Sequence, residues 1–277
     1  MTASRKVKPN AAVPPDWQTA AIAMDATIPS TTPVAEALLS RLPDPESGAR
    51  VIDLACGTGH PTLVLARSRP DLEIIGVDST PAMIERARQK SAEEGLNHVL
   101  FDVMSLESLE LPNAHVDAVI SQFGLLQHGD PTQAAGETAR VLRPKGHFSI
   151  AVWDHMSANT FVSTLYGLMT KYAPAGLLPD FSAANALAVP GVRERHLRRA
   201  GICEVETGLF DYSITMPNFD AVARGLQQPA TFGPAFASLS EARQDKVRHE
   251  LRGAVERYAH GDTYVFPVTC RLYWGQR

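Results

Sequence analysis

Cysteine is scarce: Cys56, Cys203 and Cys270 are the only three, far apart and with no CxxC pair. That excludes a disulfide framework and a cysteine-based zinc site, predicts no metal site, and fits a reducing compartment. No apolar stretch approaches the roughly 18 residues that a membrane-spanning helix needs. The opening MTASRKVKPNAAVPP has positive charge but no apolar run behind it, so no secretory signal is read there. Positive charge is also in deficit, with 26 Lys and Arg against 30 Asp and Glu and a formal net charge of −4. A nucleic-acid protein would carry a basic footprint. The clearest basic run, Arg193, Arg195, Arg198 and Arg199, reads as a solvated helix face. Internal repeats and low-complexity segments are absent. These absences predict a soluble, cytoplasmic protein with neither a nucleic-acid nor a membrane partner.

What is present is core-forming material: 277 residues, 44% of them hydrophobic. That suits one large α/β domain with a subordinate cap. Short apolar runs alternate with helical patterns through the first half: RVIDLA, LEIIGVD, HVLFDV, VDAVISQ and GHFSIAVW. Strands with so little polar alternation predict a five-strand parallel core covered on both faces. Thr80 before Pro81, and Asp130 before Pro131, mark helix starts, and Gly95 marks a helix end. After residue 156 the rhythm changes. The expected organisation is a disordered tail (1–16), an N-terminal helical lid (17–48) and a core (49–156). A helical insertion (157–188), a core continuation (189–216), a helical cap (217–262) and a final strand (263–277) follow. Within the cap, Val247, Leu251, Val255 and Tyr258 form a stripe at helical spacing.

The chemistry concentrates in VIDLACGTGHPTLVLA, residues 51–66. Gly57 and Gly59 fall between the first strand and a helix, where open parallel sheets bind ligands. A dinucleotide fingerprint would require glycine at position 62, where Thr62 stands. Asp53, inside the strand end, would repel a pyrophosphate and can face a cationic group through water. Asp78 closes the second strand, as an acceptor for ribose hydroxyls does. Asp102 in VLFDV suits a donor such as an adenine amino group.

These motifs, with FDVMSLE, VDAVISQFGLLQH and RVLRPKGHFSIAVWD, resemble the class I S-adenosylmethionine-dependent methyltransferases, nearest the quinone-biosynthesis group. The resemblance covers roughly residues 50–154. It implies a Rossmann-like, seven-stranded, mostly parallel sheet with helices on both faces, the last strand antiparallel, plus helical cap insertions. It implies S-adenosyl-L-methionine as cofactor and a small, partly apolar methyl acceptor as substrate. Residue by residue, Gly57 and Gly59 would let the loop hug the cofactor. The backbone at Ala55 and Cys56 would meet its amino group. Asp78 would hold the ribose, followed by Ser79, and Met83 would pack on the adenine. Asp102 would take the adenine amino group, with the Val103 amide pointing at the ring, and Ser121 would offer its carbonyl. Ala55 departs from the glycine common in the family, and Ser79 is smaller than the usual apolar residue.

Methyl transfer from a sulfonium needs in-line placement above all, and a base only where the nucleophile must lose a proton. Gln122 and His128 are the catalytic candidates; Phe123, Trp153 and Trp17 are candidates for the acceptor pocket. His60 begins a helix, where an imidazolium is disfavoured, so it is expected to close the pocket rather than act as a base. Three other readings stay open: a cyclase or decarboxylase using the same cofactor, an NAD-dependent oxidoreductase, and a cofactor-bound partner protein without turnover. The oligomeric expectation is a monomer or homodimer.

Overall fold

The computed structural model describes residues 17–127, 129–229 and 231–277, with side chains from Ala21 onward apart from Ala175. The expected tail at 1–16 therefore lies outside the described residues. Eight strands form one sheet: β1 (Arg50–Leu54), β2 (Glu73–Asp78), β3 (Val99–Val103), β4 (Val116–Gln122), β5 (Leu142–Trp153), β6 (Glu204–Met216), β7 (Ala259–His260) and β8 (Thr263–Gln276). Their order is β3-β2-β1-β4-β5-β8-β6, with β7 paired to β8. Pairings within β1–β5 are parallel, and β8 runs antiparallel to both β5 and β6. The predicted parallel core and the late antiparallel strand are thus both present.

Alternate residues of each strand serve the two faces, because successive side chains point opposite ways. Val51, Ile74 and Ile120 join Val34 and Leu38 of α2 (Ile28–Ser40), Leu63 of α3 (His60–Ser68) and Ile84 of α4 (Pro81–Glu93). Ile52, Val77 and Val119 join Ala135 of α5 (Pro131–Val141) on the other face. Preceding α2 is α1 (Trp17–Asp25). The second half contributes α6 (Thr160–Met169), α7 (Ser182–Leu187), α8 (Val192–Arg199), α9 (Phe219–Arg224), α10 (Gly233–Ala237) and α11 (Glu241–Val255). Leu197 of α8 packs into the α5 face.

β8 pairs with β5 only over Cys270–Gln276, and its first half pairs with β6 beyond the sheet edge. On that projection α6, α9, α10 and α11 build a third core around Phe266, Phe232, Val247, Leu251 and Val255. Each such side chain, fully buried, contributes about 1.5–3 kcal/mol. The predicted stripe on α11 is the seam of this core, with Tyr258 packed at its margin. Among the described residues, no helix is long and apolar enough to cross a membrane.

The chain leaves β1 toward β2 on one side and returns to β4 on the other. Register between β1 and β4 ends at Asp53–Ile120, while β1 and β2 stay paired to Leu54–Val77. The Leu54 carbonyl accepts instead from the Ser121 hydroxyl at 2.7 Å. Such a parting of strand ends is where open α/β sheets bind ligands.

Candidate active site

Asp53 is fully buried at the end of β1. Its Oδ2 accepts the Thr62 hydroxyl at 2.5 Å, and its Oδ1 has no partner among the described residues. Burial pushes the carboxyl up to about 7; the Thr62 bonds oppose this and the Asp78 charge adds to it. Thr62, read in the sequence only as a missing glycine, is thus what holds this acid. Nothing local in the sequence announces that contact.

The turn that follows is left-handed at Ala55 (φ 56°), Gly57 (φ 54°) and Gly59 (φ 83°). Ala55 keeps its methyl only because Gly124 has none: a Cβ on Gly124 would lie 2.2 Å from it. A Cβ on Gly59 would meet Ala87 and the Phe101 ring at 3.1 Å, and one on Gly57 would meet Met24 Sδ at 3.1 Å. The Cys56 amide is committed to the Val77 carbonyl at 2.9 Å, and its carbonyl accepts from Gly59 at 2.9 Å. Burial raises the Cys56 thiol well above its ordinary value, so it stays protonated.

Asp78 knots this turn to the next. Its Oδ2 accepts the Gly57 amide at 3.0 Å and its Oδ1 the Thr80 amide at 2.9 Å. Each oxygen keeps a second lone pair. The Thr80 hydroxyl marks the start of α4 but makes no capping bond among the described residues; the Asp78 carboxylate holds the amide of Thr80 itself, ahead of the helix. Asp130 does cap α5, accepting from the Thr132 and Gln133 amides. Ser79 is exposed. Met83 is buried and packs with Ala21 of α1. Asp102 is exposed, 3.8 Å from Arg88 Nη2, and its Oδ1 accepts the Val103 amide at 2.8 Å. That amide is therefore turned toward its own neighbour.

The first two helices lie over this edge. Asp25, the last residue of α1, accepts from the Thr58 hydroxyl (2.7 Å), Arg86 Nε (2.7 Å) and Lys90 Nζ (3.0 Å). These partners hold the Asp25 carboxyl below its usual range, against the opposing effect of burial. From α2, the Thr31 carbonyl accepts the Gln122 side-chain amide at 2.9 Å, and the Thr32 hydroxyl lies 3.2 Å from His60 Nε2. Burial brings His60 down to about 4, helped by the Lys90 and Arg67 charges. The expectation of a neutral His60 thus agrees in direction, though its main cause is desolvation.

In the loop after β4 two non-glycine residues are left-handed, Phe123 (φ 61°) and Leu126 (φ 62°). Phe123 stacks on Trp153 at 3.8 Å between centroids and 3° between planes. Gln127 Oε1 accepts the Trp153 amide at 2.8 Å. The two sequence-selected acceptor residues are therefore in contact. Ser121 is buried and its hydroxyl also accepts the Leu125 amide at 3.0 Å. His128 lies outside the described residues, as does the side chain of Trp17, whose backbone begins α1.

Arg193 corrects the reading of the basic run as a solvated face: it is 1% exposed. Its Nε donates to the Leu126 carbonyl at 3.1 Å and its Nη2 to the Trp153 carbonyl at 3.2 Å. One signal could have found it, since Arg193 sits one turn before the apolar Leu197 on the inward face of α8. Tyr212 of β6 has a buried hydroxyl without a partner among the described residues, and burial raises it above the usual phenol value.

A family model described as a methyltransferase domain matches residues 45–187, just over half of the chain. A demethylmenaquinone methyltransferase of Deinococcus radiodurans is 39% identical over 115 residues, 42% of this chain and 47% of that protein. The chain thus spans about half the length of that relative. An uncharacterized protein of Mycobacterium tuberculosis is 27% identical over 219 residues, 79% of this chain and 70% of its own. In the fold, the crystal structure of YcgJ from Bacillus subtilis superposes with a TM-score of 0.56 at 18% identity, covering 87% of this chain and 96% of that one. The chain therefore belongs to the methyltransferase-domain family, as a class I S-adenosylmethionine-binding member similar to the quinone-biosynthesis enzymes.

Proposed function

We propose that this protein transfers a methyl group from S-adenosyl-L-methionine to a small, partly apolar metabolite by in-line substitution. The observation that carries the reading is the orphaned Oδ1 of Asp53, buried under a left-handed turn where β1 and β4 part. A buried carboxylate oxygen without a donor is costly unless a cation or its water completes it. The sulfonium cofactor supplies an activated methyl and an ammonium group; the rest is done by the chain. Asp53 faces that ammonium through water, with the backbone at Ala55, Cys56 and Ser121 alongside. Gly57 and Gly59 shape the turn, Asp78 uses its free lone pairs on ribose hydroxyls, and Ser79 flanks it. Met83, Asp102 and Val103 receive the adenine. For this, Ala21 and Met24 of α1 must move off Met83 and Gly57, so α1 and α2 act as the lid.

On the acceptor side, Phe123 and Trp153 form an apolar wall, joined by Trp17 from the lid. His128 takes a proton where the nucleophile carries one, and Gln122 orients the acceptor through its amide oxygen. The enzyme works on specialised metabolites in the cytoplasm, as a monomer or homodimer, without nucleic acid; the net charge of −4 supports the last point. The test is incubation with methyl-labelled S-adenosylmethionine and a panel of phenols, hydroquinones and amines. Label in a product supports the proposal. Conversion of a panel member without label transfer contradicts it and points to cyclase-type chemistry.

A further inference from the structure

One fully buried cation has no place in the chemistry above. Arg193 sits in the first turn of α8, which packs against α5 on the sheet face opposite α2, α3 and α4. It donates to two backbone carbonyls, those of Leu126 and Trp153; the Tyr273 hydroxyl lies beside it, and Nη1 has no partner among the described residues. Burying a guanidinium is expensive, the more so with one nitrogen left unpaired, so these partners are a weak structural reason to keep one there. The carbonyls themselves supply a better reason. Leu126 is a non-glycine residue held left-handed, a conformation that persists only where its surroundings impose it. Trp153 ends β5 and carries the stack on Phe123.

We infer that Arg193 is a positioning residue for the acceptor side of the site. Its planar fork reaches both carbonyls at once, clamping the loop after β4 to the end of β5 from behind. From the front the same two segments meet through the Phe123–Trp153 stack and the bond from the Trp153 amide to Gln127. The clamp fixes the loop in its left-handed path, and the stack depends on that path, since Phe123 is itself left-handed. A lysine, with one ammonium at the end of a flexible stem, cannot reproduce two divergent bonds. The assignment of this wall to the acceptor rests on the proposed function; the clamp itself does not.

The experiment uses the full chain labelled with 5-fluorotryptophan, whose three tryptophans give three fluorine resonances, assigned by Trp153→Phe. In Arg193→Met and Arg193→Lys the Trp153 resonance should shift or broaden, with Trp274 unmoved and affinity for S-adenosylhomocysteine unchanged. A Trp153 resonance identical to wild type in folded Arg193→Met overturns the inference. Should that variant fail to fold, side-chain NMR of arginine-labelled wild type decides. An exchange-protected Nε–H with contacts to Leu126, beside Nη contacts to Trp153, supports the clamp, and its absence overturns it. A planar phenol, 2-naphthol, added to the S-adenosylhomocysteine complex separates the clamp from the function. It should move the Trp153 resonance in wild type, with roughly tenfold weaker binding in Arg193→Met. No response to 2-naphthol in wild type would remove the acceptor wall from the proposed function and with it the acceptor role of Arg193, while the spectra without it still report on the clamp.

Discussion

Replacing Gly124 with alanine puts a methyl carbon 2.2 Å from the methyl of Ala55, and 3.2 Å and 3.3 Å from the Leu54 carbonyl and Ser121 hydroxyl. Neither methyl can rotate away, because each is fixed to its backbone. Overpacking of this kind costs about 1–3 kcal/mol, and the absence of a flexible neighbour places this case in the upper half. Ala55→Gly alone should be nearly neutral. It relieves a left-handed alanine worth about 1–2 kcal/mol. Against that stand the greater freedom of glycine in the unfolded chain, about 0.4–1 kcal/mol, and a lost methyl, at most about 0.8 kcal/mol. In the double variant the 2.2 Å contact is gone and only the two tight polar contacts remain. The cycle should therefore show a favourable coupling of about 2 kcal/mol, read by urea denaturation. In a chain of this size that corresponds to about 4 °C in Tm. Equal losses from Gly124→Ala in both backgrounds, or no loss at all, would refute the reasoning.

Three further outcomes follow from the charges at the site. Asp53 titrates near 7 in the folded protein, above its ordinary value near 4. The native state then holds a proton the unfolded chain has released, so this contribution is fully present below about pH 4 and fades as pH rises through 7. Asp53→Asn should flatten that decline in denaturation curves taken at acidic and neutral pH; an unchanged slope counts against the assignment. His60, lowered to about 4, works the other way: its stabilisation is present above about 6.5 and is lost as pH falls through 4. His60→Gln should remove that acid loss, and a curve still identical to wild type argues against a buried neutral ring. Asp25→Asn breaks the ties to Arg86 and Lys90, and amide exchange in residues 17–25 should quicken with a global stability change under about 1 kcal/mol. Unaltered exchange there would mean that the lid is held by other contacts.

The parallel sheet was legible because buried strands read as unbroken apolar runs, and the turn because glycines and acids mark strand ends. Asp78 ends its strand and Asp53 and Asp102 lie one residue before the ends of the two parallel strands beside it, as their spacing implied. What stayed hidden are contacts between residues that the fold, not the chain, brings together. Thr62 meets Asp53 across a turn, Gly124 makes room for Ala55, and Arg193 reaches Leu126 from 67 residues away. The basic run misled for a related reason. Four arginines in seven residues suggest solvent, yet one face of α8 carries Arg193 and Leu197 inward together. The first two helices were legible as helix; that Gln122 and His60 are engaged by α2 required the tertiary arrangement.

Calorimetric titration with S-adenosylhomocysteine reads whether the turn after β1 binds an adenosyl cofactor. Wild type should bind it, Asp78→Ala should lose most of the affinity, and NADH should not bind tightly. Tight NADH binding, or S-adenosylhomocysteine affinity unchanged in Asp78→Ala, would contradict an adenosyl site at that turn.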